Sequence, residues 1–225
     1  MHTIVISIGG SVFLKGAEYI MKIARIIDGA AKENRIAVTV GGGRVAREYI
    51  QIGRELGGDN TTLDELGIYV TRINARLLML ALPSAYPRIA SSVEEAYEFF
   101  SLRGLVVMGG TTPGHTTDAV SAMLAEKLRA QILINVTNVD GLYEADPKTH
   151  PNAKKINHCT YDDLINILTK SDLQAGTNNI FDLLGAKILK RAGIKLIILN
   201  GEKLDVFQDA LQLKPSDGRW SEVYD

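Results

Sequence analysis

The residues best suited to chemistry in this chain lie in three glycine clusters. They are Gly9, Gly10 and Ser11; Gly41, Gly42 and Gly43; and Gly109 and Gly110, which lead into Thr111, Thr112, Pro113, Gly114, His115, Thr116, Thr117 and Asp118. Each follows a short aliphatic run and precedes residues able to start a helix. One cluster alone is explained by glycine's tolerance of the tight, positive-φ turns that join strand to helix. Three such turns meeting at one edge would surround an oligophosphate with the free N–H groups of helix starts. Phosphoryl transfer requires alignment of donor and acceptor and neutralisation of charge on the transferred oxygens. Backbone amides, Lys or Arg and Mg²⁺ supply this without a nucleophile and base pair.

The sequence contains no GxxxxGK[ST], which excludes a P-loop, and no GxGxxG opens the first helix, which argues against a dinucleotide-binding dehydrogenase. Cys159 is the single cysteine and the four histidines are scattered, so neither a disulfide nor a protein-held metal site is expected. No Ser/His/Asp or Cys/His constellation stands out.

The elements that must position these turns are legible. Aliphatic runs at Thr3 to Ile8, Ile36 to Val40, Leu105 to Met108, Ile132 to Val136 and Lys195 to Leu199 are apolar throughout. That pattern predicts strands buried on both faces, hence a three-layer α/β/α sandwich with a central, mainly parallel sheet. After Thr62, the residues Leu66, Val70, Ile73, Leu77 and Leu80 follow helical spacing and predict a core-facing stripe, with Thr62 and Glu65 as a capping box. Val45, Tyr49, Ile52 and Leu56 predict a comparable stripe. Thr71, Arg72 and Asn74 lie off the first stripe, facing either a ligand or another subunit. The tail, Lys214 to Asp225, has no readable pattern.

The length of 225 residues predicts a single domain, with two approximate lobes at 1–125 and 126–225. Lys plus Arg number 25 against 26 for Asp plus Glu, so no basic field draws a nucleic-acid polymer. The N-terminus lacks the features of a signal peptide and no run approaches the roughly 20 apolar residues of a membrane span. A soluble, cytoplasmic protein is expected.

Taken together, IGGS at Ile8 to Ser11, VGGGRVAR at Val40 to Arg47, GIYVTRINARLL at Gly67 to Leu78, MGGTTPGHTTDAV at Met108 to Val120, TNVDGLYEADP at Thr137 to Pro147 and FDLLGAKIL at Phe181 to Leu189 resemble archaeal-type uridylate kinases of the amino-acid kinase superfamily. The resemblance spans nearly the whole chain. It implies the amino-acid kinase fold and transfer of the γ-phosphoryl of ATP to UMP with Mg²⁺, the 1–125 lobe binding UMP and the 126–225 lobe binding ATP. On the same basis, Gly10, Ser11, Gly43, Arg47, Thr137, Asn138, Tyr143 and Asp146 would contact ATP. UMP would be held by Gly42, Asp64, Thr112, Pro113, Gly114, His115, Thr116, Thr117 and Asp118, with Asp118 also organising catalysis. Many superfamily members carry a lysine where this chain has Ser7, and a second lysine of relatives falls on Leu184. Lys15 is therefore the candidate catalytic cation, with Lys187, Arg44 and Arg47 as alternatives. The family implies a homohexamer. A kinase for another small acceptor, or a non-catalytic nucleotide-dependent storage or regulatory protein, are the competing readings.

Overall fold

The aliphatic runs form the strands that their composition predicts. The computed structural model describes residues 1–145, 150, 152–172 and 180–225. In chain order, β1 (Thr3–Ile8) leads through a 3₁₀ turn (Gly10–Lys15) to α1 (Ala17–Ala30), β2 (Arg35–Val40), α2 (Gly43–Glu55), α3 (Asn60–Leu80), α4 (Val93–Arg103) and β3 (Leu105–Met108). The chain continues with α5 (Thr117–Lys127), β4 (Ile132–Thr137), the short β5 (Leu142–Tyr143), β6 (Lys155–Ile156) and β7 (His158–Cys159), and α6 (Tyr161–Asp172). It closes with α7 (Leu183–Ala192), β8 (Lys195–Asn200), α8 (Leu204–Leu211) and β9 (Ser221–Val223).

The main sheet has the order β3-β2-β1-β4-β8-β9-β7, and its first five strands run parallel. Among the described residues of this sheet only β9 pairs antiparallel, with its neighbour β8, while β5 and β6 form a separate antiparallel pair. Alternate strand residues feed two cores. Val5, Ala37, Val106, Leu133 and Leu196 pack with α4, α5, α6 and α7. Ile4, Ile6, Val38, Val107, Ile134 and Ile197 pack with α1, α3 and α8. This is the predicted three-layer sandwich, and burial on both faces explains why the strands lack alternation.

Three local expectations are corrected. Thr62 and Glu65 are not a capping box: α3 starts earlier, and its N-cap is Asp59, whose carboxylate accepts from the Thr62 backbone N–H and hydroxyl, both at 3.0 Å. Of the predicted stripe of α3, Val70 is buried as expected, but Ile73 is 60%, Leu77 42% and Leu80 75% exposed, and the buried face is Leu63, Val70, Thr71, Asn74, Ala75 and Leu78. On α2, Tyr49, Ile52 and Leu56 are likewise exposed and only Ala46 is buried. The reason is steric: α2 turns Gly53 toward the leucines of α3, a Cβ there standing only 2.7 Å from Leu63 Cδ2 and 3.0 Å from Leu66 Cδ1. The unreadable tail also has structure. Trp220 is fully buried in the α1/α3/α8 core and leads into β9.

Candidate phosphate site

Five parallel strands bring five turns to one edge, because parallel strands end on the same side of a sheet. Gly9 N–H donates to Val136 O at 3.0 Å, Gly41 N–H to Ile8 O at 2.8 Å and Gly201 N–H to Thr137 O at 2.8 Å, so each turn leaves its strand braced by the neighbour. The sheet order thus gathers Gly10, Ser11, Gly42, Gly43, Thr137 and Asn138, with Thr117 and Asp118 at the start of α5.

Gly10 and Gly43 pack backbone to backbone. A Cβ on Gly10 would stand 2.3 Å from Gly43 N and 2.4 Å from Gly42 C, and one on Gly43 would stand 2.5 Å from Gly10 C. Gly43 also has φ +65, so glycine is required here for space and for conformation. Lys15, at the end of the 3₁₀ turn, reaches Glu202 at 2.5 Å and lies over the Tyr19 ring. Arg47 is exposed one turn into α2, Arg44 pairs with Glu48 at 3.2 Å, and Lys187 is exposed on α7.

The segment from Thr112 to Thr117 is tied down at both ends. His115 N–H donates to Thr112 O at 3.3 Å, across Pro113 and Gly114. Asp64, on α3, accepts from Gly114 N–H at 2.8 Å, which joins two sequence-selected residues 50 positions apart. Thr116 caps α5 by accepting from Ala119 N–H at 3.1 Å, and its hydroxyl donates to Asp182 at 2.9 Å.

Below this segment lies a row of polar side chains. Ser7 stands opposite both Thr39 and Asn135 in the strand register, and all three are buried. Ser7 Oγ donates to Asp118 Oδ1 at 2.8 Å, so the serine bonds the carboxylate directly. Asp118 is partly buried at the start of α5. Burial raises its pKa to about 6, the Ser7 hydrogen bond opposes this, and Asp182 adds to it.

Sequence reasoning missed Asp182. It caps α7 by accepting from Gly185 N–H at 2.8 Å, and an Asp ahead of an apolar helical run is the signal that marks it. Asn135 fixes the approach to it by donating to Ile180 O at 3.1 Å. Among the described residues no group of three or more His, Cys, Asp or Glu side chains is placed to hold a metal ion. Asp118 and Asp182 are hard oxygen donors of the kind Mg²⁺ takes one or two of while it keeps its waters and substrate phosphates. The residues therefore fit a cation that arrives with a nucleotide. Tyr143 lies in the β5–β6 pair, where its hydroxyl donates to Asp140 at 2.8 Å and, with burial, this bond holds its pKa high. Asp146 lies outside the described residues.

Comparison with known proteins agrees with this geometry. The model of the amino acid kinase family matches residues 2–200. A uridylate kinase of Archaeoglobus fulgidus is 47% identical over 198 residues, covering 88% of this chain and 90% of that protein. One of Methanoregula boonei is 43% identical over 214 residues, covering 94% and 92%. The crystal structure of the Archaeoglobus fulgidus uridylate kinase superposes with a TM-score of 0.89 at 42% identity, over 99% of this chain and 100% of that one.

Proposed function

The chain belongs to the amino acid kinase family, in its uridylate kinase branch, and on that premise we infer that it transfers the γ-phosphoryl of ATP to UMP, giving UDP and ADP. The observation that carries this reading is the convergence of the three glycine turns and the Asp64-braced segment Thr112 to Thr117 on one sheet edge, in a chain 47% identical to a uridylate kinase.

In this reading UMP lies over Gly42, Asp64 and Thr112 to Asp118. The triphosphate lies along Gly10, Ser11 and Gly43, with Arg47 nearby, and the ATP nucleoside lies against Thr137, Asn138, Tyr143 and Asp146. Asp118 and Asp182 would help hold a Mg²⁺ ion brought in by ATP, which would supply charge neutralisation on the phosphates. Lys15 supplies positive charge at the ATP edge, with Glu202 as its resting partner. No general base is required, because the attacking oxygen of UMP belongs to a phosphate already ionised at neutral pH.

Among the described residues no helix is long and apolar enough to cross a membrane. The apolar faces left exposed on α2 and α3 support assembly with further copies of the chain, in the homohexamer that the family implies. The test is ADP release with ATP, Mg²⁺ and UMP, CMP, dUMP, acetylglutamate or isopentenyl phosphate. UMP is expected to give the highest kcat/KM. ADP release with another acceptor but not with UMP overturns the substrate, and release with none points to a binding protein.

A further inference from the structure

Helix α3 meets two of the glycine turns with polar side chains in its interior face. Asn74, buried in mid-helix, donates from Nδ2 to Gly41 O at 2.9 Å and lies 3.4 Å from Gly42 O. One turn earlier, Thr71 Oγ1 accepts from Gly110 N–H at 2.7 Å and donates to Ile68 O at 2.6 Å. Arg72 Nε donates to Gly110 O at 3.2 Å. Burying an amide or hydroxyl costs free energy unless its hydrogen bonds are made, and here the partners are the backbone of the turns. The approach is close: a Cβ on Gly109 would stand 2.6 Å from Thr71 Oγ1.

The two contacts set opposite polarities. In a planar trans peptide the C=O and N–H point in opposite directions. Asn74 draws the carbonyls of Gly41 and Gly42 toward α3 and so turns the N–H groups of Gly42 and Gly43 away from it. Among the described residues neither N–H has a hydrogen-bond acceptor. Thr71 instead holds the N–H of Gly110, which turns the Gly109 carbonyl away from α3.

Resting on the kinase reading above, we propose that Asn74 and Thr71 are positioning residues that set the hydrogen-bonding polarity of the site: Asn74 presents the Gly42 and Gly43 N–H groups to phosphoryl oxygens of both nucleotides, and Thr71 presents the Gly109 carbonyl to a donor group of the UMP nucleoside. Neither side chain touches substrate. Each acts through the backbone of a turn.

The experiment compares steady-state kinetics and melting temperature of three variants. Asn74→Ala is expected to raise KM for ATP and for UMP at least tenfold each. Thr71→Val, which keeps the side-chain shape, is expected to raise KM for UMP at least fivefold and leave KM for ATP within twofold. Leu78→Ala, a core truncation on the same helix, is expected to lower the melting temperature at least as much while both KM values stay within twofold. If Asn74→Ala does not fold, Asn74→Ser takes its place, since its hydroxyl is too short to reach Gly41 O, and the same KM rise is expected. Unchanged KM values in the Asn74 variant, a rise in both for Thr71→Val, or an equal rise in Leu78→Ala overturns the proposal. Should the unaltered enzyme release no ADP with UMP, the kinase reading fails instead. Calorimetric binding of ATP to Asn74→Ala then decides the Asn74 half, and calorimetric binding of UMP to Thr71→Val the Thr71 half. Wild-type affinity overturns the half concerned.

Discussion

Ser7 and Asp118, 111 residues apart in sequence, meet through a 2.8 Å hydrogen bond at the carboxyl end of β1. The bond satisfies one carboxylate oxygen without supplying positive charge, and the charge that Asp118 feels most is that of Asp182. The fold therefore holds two mutually repelling carboxylates at the sheet edge proposed above to take phosphates, an arrangement that costs stability and that a cation arriving with the nucleotide would relieve.

That cost has a definite pH dependence. The pKa of Asp118 is about 6 in the folded protein against an ordinary 3.8, so the folded state binds more protons than the unfolded state between those values. Stability is highest below pH 4 as far as this group is concerned, and it falls as the pH rises through 6. The gap corresponds to on the order of 3 kcal/mol. Asp118→Asn, which can still accept from Ser7, should be more stable than the parent at pH 7.5 by up to about that amount, with the difference gone near pH 4. Its turnover with UMP should fall by about two orders of magnitude or more. Urea unfolding of both proteins across this range measures the first effect, and ADP release the second.

The Gly10–Gly43 contact leaves no room for a methyl group on either residue. Gly10→Ala must push the first turn away from the second, because the atoms met at 2.3–2.6 Å are backbone. Displacing donors by a fraction of an ångström misaligns the transferred group, so kcat/KM should fall at least about a hundredfold. Gly9→Ala, whose Cβ would meet Val136 O at 3.3 Å, should be milder by at least about tenfold. Equal losses in the two variants would show that crowding between the turns is not the cause.

Much of this arrangement was legible in the sequence because strands buried on both faces leave unbroken aliphatic runs. All five parallel strands stand within a residue of where those runs place them. The helices were less legible. In α3, the larger apolar residues Ile73, Leu77 and Leu80 made a convincing stripe, yet the inner face goes to Thr71, Asn74 and Ala75 because it must fit against the backbone of the turns. Hydrophobic periodicity reports which residues avoid water in the functional protein, and an apolar stripe that meets another subunit is indistinguishable from one that meets the core. Asp182 escaped notice because its partners, Thr116 and Gly185, lie on two different helices.

The exposed stripes yield a prediction about assembly. Ile73 and Leu77 lie one turn apart on the outer face of α3, whereas the buried Asn74 side chain bonds the glycine turn. Ile73→Glu combined with Leu77→Glu should leave the fold intact by circular dichroism and shift the mass measured by light scattering to a smaller species. An unchanged mass would remove this face of α3 from the subunit contact.

Lys15 is exposed and engaged by Glu202. If its charge serves ATP, Lys15→Ala should lower kcat by about tenfold or more, Lys15→Arg should retain most activity, and Glu202→Gln should not reduce it. An exposed pair of this kind contributes only about 0–1 kcal/mol to stability, so the melting temperature should hardly move in any of them. Unchanged turnover in Lys15→Ala would leave Mg²⁺ and the backbone donors to neutralise the transferred phosphoryl group.

Thr116 connects the two halves of the chain, since its single hydroxyl accepts from Ala119 N–H to cap α5 and donates to Asp182, which caps α7. Thr116→Val keeps the shape and loses both bonds. The lost cap should cost about 1 kcal/mol of stability, and Asp182 is left with one oxygen unpaired at the site. Thr116→Ser keeps both bonds and should behave as the parent. Because Asp182 lies beyond the UMP segment, the valine variant should raise KM for UMP and also lower kcat by about tenfold, whereas a simple capping role would lower the melting temperature alone. Steady-state kinetics at a temperature where both variants are fully folded separates the two outcomes.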